Sequence, residues 1–175
     1  MSVGISFLFQ NNGKNDKMNE NSFIKGDYKM SAKLEMLKKV VESKQPFATI
    51  ATTLGIEAIS IDEGKAVLAM ETDPKKHANP MGTIHGGVLT DIADLAMGSA
   101  FSTVIGEDES FTTIELKINY LKPLWNERIT ATAVVKKVGS TVGLIECEIH
   151  DSNQSLVAYT TSTCMILRGS KKEGR

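Results

Sequence analysis

The sequence predicts an α+β domain in which an antiparallel sheet of about six strands wraps around one long central helix. The helix is expected at residues 88 to about 105, which are apolar nearly all round, as in a helix enclosed by other structure. Strands are expected where apolar and polar residues alternate. The last four such segments have short connections, which favours antiparallel pairing.

The composition is that of one domain without a strong charge bias. The chain has 175 residues, 41% of them hydrophobic, and a formal net charge of −1. This is enough apolar material for a core, and the charge predicts neither a nucleic acid nor a membrane partner. No apolar run has the length of a membrane span. Cys147 and Cys164 share no metal-ligand spacing with the histidines, so we expect buried thiols in a reducing, cytoplasmic compartment.

The two ends of the chain differ from the part between them. Residues 1–29 are rich in Asn, Lys, Gly and Ser without sustained periodicity, so a disordered tail is expected there. The domain itself is predicted over residues 30–170, with a short C-terminal tail at 171–175. The apolar stretch at residues 3–9 lacks a preceding basic region and does not resemble a signal peptide.

The domain is predicted to begin with a helix over residues 31–43. Pro46 interrupts the pattern, and a short helical turn is expected over residues 47–53. The first helix has a serine that can cap its start and apolar residues at helical spacing, which are Ser31, Leu34, Leu37, Val40 and Val41.

Strands follow on both sides of the central helix. The six predicted strands are residues 56–62, 65–71, 111–120, 128–137, 142–151 and 156–167. Asp62-Glu63-Gly64 is the expected turn of the first hairpin. In residues 111–120 an apolar set alternates with a polar set, namely Ile114, Leu116, Ile118 and Tyr120 with Thr113, Glu115, Lys117 and Asn119. The last four strands are expected to form a meander in chain order with one polar face.

The segment most informative about function runs from Asn79 to Asp94. A His85-Gly86-Gly87 turn opens the apolar helix, and Asp94 lies among aliphatic residues in its predicted second turn. Backbone N–H groups at a helix start are unpaired and lie at the positive end of the helix dipole, so they can hold an oxygen that gains negative charge. Glycines let a substrate approach that backbone. Such an electrophilic pocket with a carboxylate nearby indicates acyl-transfer or hydrolytic chemistry.

Each of these signals is also compatible with a structural role when taken alone. Two glycines before a helix are a common loop entry, and an acid such as Asp91 in an early helical turn is commonly solvated or favoured by the helix dipole. His85 can bond the turn through its ring. Their ordered combination with Asn79 and Asp94 is what favours a functional site.

Three motifs carry a resemblance to a known family. Asn79-x-x-Gly-x-x-His85-Gly-Gly, then Leu-x-Asp-x-Ala-Asp94, and then Thr113-x-Glu-x-x-Ile-Asn-Tyr-x-Lys-Pro123 resemble the PaaI-like branch of hotdog-fold acyl-CoA thioesterases over residues 46–168. The hotdog fold is a sheet wrapped around a central helix, as predicted above.

The resemblance implies specific roles. Asp94 matches the catalytic carboxylate, in preference to Asp91, and Gly86 matches the residue whose N–H polarises the thioester carbonyl. Roles in substrate binding are implied for Asn79, His85, Gly87 and Thr113, with Thr112 as a rival to Thr113. No metal is implied, and no cofactor beyond the coenzyme A of the substrate.

The implied reaction is hydrolysis of a small, aromatic or medium/long-chain acyl-CoA to a free acid and CoA. Asp94 would act either as general base for a water or as nucleophile through an anhydride. Basic residues at strand ends could reach the CoA phosphates, namely Lys122, Lys136, Lys137 and Arg168.

Two alternative functions remain. A hotdog hydratase or dehydratase acting on acyl thioesters would need His85 and Asp94 as a working pair. A non-catalytic acyl-CoA-binding regulator would need a helix-turn-helix, which residues 47–56 resemble superficially; no basic recognition helix follows, because residues 57–62 have a strand pattern.

Helix geometry predicts a homodimer. Gly86 and Asp94 are eight residues apart, which is about 12 Å along one helix. A carbonyl held at the Gly86 N–H cannot then lie within about 3 Å of the same chain's Asp94. The acid is expected from a second subunit, with two antiparallel central helices forming composite sites, and pairing of dimers into a homotetramer is also expected.

Overall fold

The computed structural model describes residues 32–44 and 48–172. The predicted tail at residues 1–29, the Ser31 cap and Pro46 lie outside the described residues. Within them, all six predicted strands and the two longer predicted helices are confirmed. The elements are α1 Ala32–Ser43, α2 Thr49–Leu54, β1 Ile56–Asp62, β2 Lys65–Glu71, α3 Pro74–His77, α4 Gly86–Ser102, β3 Ser110–Tyr120, β4 Arg128–Val138, β5 Val142–Asp151, β6 Leu156–Leu167 and a 3-10 turn, Gly169–Lys172.

The six strands form one sheet in the order β1-β2-β4-β5-β6-β3, and every neighbouring pair is antiparallel. β4, β5 and β6 make a meander as predicted. The expectation that β3 begins this meander beside β4 is wrong, because β2 occupies that side of β4 and β3 pairs with β6. β3 is therefore an edge strand of 11 residues.

α4 packs against this sheet and supplies much of the core. Its buried side is apolar and contacts β2, β4 and β5, through Leu89, Ile92, Ala93, Ala96, Met97, Ala100 and Phe101. Asp91 and Asp94 are exposed on the other side. The predicted sheet wrapped around a central helix is confirmed, and in the single chain one side of α4 stays exposed.

α4 begins two residues earlier and ends three residues earlier than predicted. Its first residue is Gly86, so the two glycines form the first helical turn and Asp94 lies in the third turn. The helix stops where the Thr103 hydroxyl donates to the Ala100 carbonyl (2.6 Å) and accepts from the Gly64 N–H (2.8 Å). The end of α4 is thereby tied to the β1–β2 turn.

β3 contains a bulge that reverses its alternation. Thr113 pairs with Cys164 and Glu115 pairs with Thr163, so Ile114 is an extra residue in the ladder. A bulge of this kind re-aims side chains, often beside active sites. Strict alternation would place Thr113 on the same face as Glu115. The bulge places Thr113 on the face of buried Cys164 instead, toward α4.

None of the helices in the described part of the chain is long and apolar enough to cross a membrane. Both cysteines are buried and free, as predicted. Burial raises the pKa of the Cys147 thiol to about 12.

Candidate active site

The start of α4 is fixed by the side chain of His85. The Gly87 N–H donates to His85 Nδ1 at 2.9 Å, so the imidazole acts as the N-cap. Because Nδ1 accepts this bond, the neutral ring carries its proton on Nε2. The Gly86 N–H, by contrast, has no acceptor among the described residues. One amide of the first turn is used for capping, and the neighbouring amide is left available.

The loop before α4 holds His85 in place from two sides. The short helix α3 is capped by Asp73, and its last residue, His77, accepts the Asp73 N–H through Nδ1 at 3.0 Å. The His77 carbonyl then accepts the His85 N–H at 2.7 Å, and the Leu124 carbonyl accepts the Ile84 N–H at 2.9 Å. The position of the α4 amides therefore depends on an ordered segment.

Asn79 is used by its own loop. Its Oδ1 accepts the Met81 N–H at 2.9 Å, and its Nδ2 donates to Thr83 Oγ1 at 2.8 Å. These bonds close a turn in which Gly82 has a φ of +85°, a conformation that favours glycine. The amide of Asn79 thus shapes the loop that leads to Gly86, and one Nδ2 hydrogen is left for other partners.

An open cavity of about 380 Å³ adjoins Gly86. Its wall combines the loop before α4, the first turn of α4 and the chain after β3, and is lined by Asn79, Thr83, Ile84, Gly86, Leu89, Tyr120, Leu121, Lys122, Pro123 and Leu124. The wall is continuous with the unpartnered Gly86 N–H. A small polar group entering here could accept a hydrogen bond from a helix start.

Asp94 is held by the edge strand. The Thr113 hydroxyl donates to Asp94 Oδ1 at 3.0 Å and lies 3.9 Å from Cys164 Sγ. The remaining carboxylate oxygen of Asp94 is on the exposed side of α4, where a water or a carbonyl carbon could approach. Thr113, and not its neighbour Thr112, makes this contact in the structure.

Asp91 lies one turn earlier on the same exposed side of α4. The pKa of Asp91 is raised. The larger cause is partial burial of the carboxyl, which disfavours its charged form, and the second cause is the nearby charge of Asp94. Nothing from β3 bonds its carboxyl in the way that Thr113 bonds Asp94. The two acids therefore differ in their surroundings although both are exposed.

The structure does not bring Gly86 and Asp94 of one chain together. They lie at the two ends of an unbroken helical stretch within α4, eight residues apart, which is about 12 Å. The Gly86 cavity and the Asp94–Thr113 pair are therefore two half-sites in a single chain. Within the described residues, no group of His, Cys, Asp or Glu is arranged to hold a metal ion.

The basic residues expected near coenzyme A are mostly paired. Lys122 donates to the buried Asp151 carboxylate, and this bond, with N–H bonds from Ser155 and Asn153, lowers the pKa of Asp151. Lys136 pairs with Glu146 at 3.3 Å, and Arg168 pairs with Glu109 at 2.6 Å. Lys137 makes no ion pair with a described residue, so it is the most available of the four cations.

Tyr120 belongs to the site, although the sequence alone gave it no role. Its hydroxyl lies 3.1 Å from the Gly86 carbonyl and 3.0 Å from Thr90 Oγ1, and its ring lines the cavity. The only sequence signal was its place in the Asn-Tyr-x-Lys-Pro motif. Its contact with Gly86 spans 34 residues, so no local pattern could indicate it.

Comparison with known proteins places the chain in a family. The thioesterase superfamily model matches residues 81–158. A 1,4-dihydroxy-2-naphthoyl-CoA hydrolase of Listeria monocytogenes is 31% identical over 119 residues, covering 68% of this chain and 96% of the relative. The medium/long-chain acyl-CoA thioesterase YigI of Escherichia coli is 32% identical over 127 residues, covering 65% of this chain and 82% of the relative.

A solved structure supports the same assignment. The E. coli PaaI protein from the phenylacetic acid degradation operon superposes with a TM-score of 0.69 at 28% identity, covering 80% of this chain and 97% of that protein. The expected hotdog fold and the resemblance to PaaI-like proteins are confirmed. Because relatives of this similarity are matched over most of their own length, the chain belongs to the thioesterase superfamily and is a thioester hydrolase with the hotdog fold.

Proposed function

We propose that this protein hydrolyses acyl-CoA thioesters to a free acid and CoA. The observation that carries the proposal is the unpartnered Gly86 N–H beside an open cavity, at the start of a helix that also exposes Asp94. The Listeria and E. coli relatives are both named for acyl-CoA substrates. The acyl group is proposed to be small, aromatic or medium/long-chain.

The proposed chemistry uses two groups of the protein. The thioester carbonyl accepts the Gly86 N–H, and this donor at the positive end of α4 stabilises the oxyanion that forms on attack. Asp94, oriented by Thr113, either removes a proton from the attacking water or attacks the carbonyl carbon itself, forming an anhydride that water then hydrolyses to the free acid. Both routes release CoA as the thiol leaving group, and neither requires a metal or a redox cofactor.

The site is proposed to be composite, with Gly86 from one subunit and Asp94 from the other. Two observations support this assembly. The two groups are about 12 Å apart in one chain, and β3, which carries Thr113, is an edge strand of the sheet formed by the described residues, a position at which a second copy could pack. A two-fold homodimer would contain two such sites, and a homotetramer could follow from pairing of dimers. The free buried cysteines suit a cytoplasmic location.

A thiol-release assay tests the function. Purified protein is incubated with acetyl-CoA, benzoyl-CoA and decanoyl-CoA, and the CoA thiol is followed with a chromogenic disulfide. We expect release from at least one substrate well above the uncatalysed rate. No release from any of the three, by folded protein, would contradict the proposal.

A mixing experiment tests the composite site. Gly86→Ala and Asp94→Asn variants, each expected to lose most of its activity, are unfolded together and refolded as mixed dimers. Random pairing puts half the dimers in the mixed form with one intact site of two, so roughly a quarter of the wild-type activity should return. Inactive mixed dimers, verified by differential tags, would contradict the shared site.

A further inference from the structure

At the start of α4, the Tyr120 ring lies where a side chain on residue 86 would be. A Cβ built on Gly86 would lie 2.7 Å from Tyr120 Cζ, 2.9 Å from its hydroxyl oxygen and 3.0 Å from Cε1. All three nearest atoms belong to this one side chain. Gly86 has ordinary helical backbone geometry and no positive φ. The backbone conformation would accept a side chain here, so an alanine would have to displace the exposed tyrosine ring.

The hydroxyl of Tyr120 adds a polar link to the same residue. It lies 3.1 Å from the Gly86 carbonyl and 3.0 Å from Thr90 Oγ1, which is itself 3.1 Å from that carbonyl. The Tyr120 and Thr90 hydroxyls have one proton each for these three contacts. When both protons stay within the cluster, at least one of them is donated to the Gly86 carbonyl oxygen. The first turn of α4 is thus held by groups from the helix and from β3.

Burial does not explain why a tyrosine lies here. The Tyr120 side chain is 53% exposed, at the last residue of an edge strand. It contributes little to the core, yet it contacts Gly86, whose N–H has no acceptor among the described residues. Its ring also forms part of the wall of the cavity beside that N–H.

We propose that Tyr120 is a positioning residue for the Gly86 N–H. Resting on Gly86 and bonding its carbonyl, Tyr120 fixes the orientation of the residue whose amide polarises the substrate carbonyl. This inference rests on the proposed thioesterase function. It assigns the positioning of Gly86 to a specific partner 34 residues away.

The orientation of a preorganised donor affects the transition state more than the bound substrate. In Tyr120→Phe, which keeps the ring and removes the hydroxyl, kcat should fall about five-fold with KM changed less than about two-fold. In Tyr120→Ala, which removes both contacts, kcat should fall about 30-fold. Tyr159→Phe is the matched control, because Tyr159 lies opposite Asn119 on the other face of the sheet and should leave kcat unchanged.

A double-mutant cycle separates this role from general packing. Gly86→Ala keeps the backbone N–H, but its methyl group displaces the tyrosine ring that rests on residue 86, so kcat should fall about 30-fold, as in Tyr120→Ala. Because the two changes remove the same contact, Gly86→Ala/Tyr120→Ala should also lose about 30-fold, and not the roughly 900-fold expected of independent effects. Thermal melting and size-exclusion chromatography establish that each variant is a folded assembly.

The outcomes distinguish this role from the function itself. If the wild-type protein hydrolyses no acyl-CoA, both the proposed function and the proposed role of Tyr120 are contradicted. With an active wild type, an unchanged kcat in Tyr120→Phe and Tyr120→Ala overturns the role alone. So does a double variant whose loss is the product of the two single losses, or a loss confined to KM.

Discussion

The two sides of α4 are held in different ways. On the buried side, Ile92, Ala96 and Met97 are fixed by close packing against the sheet. On the exposed side, the Thr113 hydroxyl donates to Asp94, and within the described part of the chain Asp91 has no such hydroxyl partner. This difference predicts that the two sides of α4 contribute to different properties of the protein. Changes on the buried side should alter stability, whereas changes on the exposed side should alter chemistry and leave the fold intact.

The largest expected effect comes from the acid that β3 holds. Asp94→Asn keeps the size of the side chain but removes the base or nucleophile, so kcat should fall by about a thousand-fold or more. Asp91→Asn, three residues earlier on the same side, is the matched control and should stay within about two-fold of wild type. Both are measured by thiol release. Equal losses for the two variants would show that the acids do not differ as the Thr113 contact suggests.

A substitution on the buried side of α4 should lower the stability of the fold. Ile92 is fully buried, and Ile92→Ala should lower the free energy of unfolding by about 2–5 kcal/mol through lost burial and a residual cavity. Urea denaturation measures the change, and kcat of the remaining folded protein should be near wild type. A large fall in kcat with unchanged stability would show that the buried side of α4 acts on the chemistry and not on the fold.

The buried side was also the part that sequence could predict. Burial imposes a period on the sequence, and this period gave α4 and all six strands within a few residues. Strand order left no such trace, because nothing local indicates that β2 takes the place beside β4 that β3 was expected to fill. The bulge at Ile114 was hidden for the same reason, since it depends on the register with β6.

The candidate site was predictable only where it forms a motif. His85, Gly86 and Asp94 were found together because they are close in sequence on one helix. The actual bonding of Asn79 to its own loop, the capping by His85 Nδ1 and the contact of Tyr120 depend on side-chain geometry. Long-range contacts of single residues carry no periodic signal, so they required the structure.

A smaller effect should distinguish the two threonines of β3. Thr113→Val removes the hydroxyl that orients Asp94, so kcat should fall about three- to 30-fold, as for loss of one hydrogen bond to a charged group. Thr112→Val makes the same chemical change one residue away and should have a weaker effect, since Thr112 does not bond Asp94 in the structure. Steady-state kinetics with one acyl-CoA are sufficient. A stronger loss for Thr112→Val would contradict the assignment of Thr113 as the residue that orients Asp94.

The smallest expected effect is a pH-dependent change in stability at Asp91. Burial, and then the charge of Asp94, raise the pKa of Asp91 above its ordinary value. A carboxyl whose pKa is raised in the folded state binds its proton more tightly there than in the unfolded chain. Stability is therefore lost as pH rises from the ordinary pKa through the raised one.

Asp91→Asn removes this penalty, so its melting temperature should exceed that of wild type at pH 8, and the gap should close as pH falls toward 4. The gain should be small because Asp91 is exposed and solvent screens its charge. Adding Asp94→Asn to both proteins should leave most of the gap, since burial is the larger cause. A gap that is constant or widens on acidification would mean that the Asp91 carboxylate stabilises the exposed side of α4.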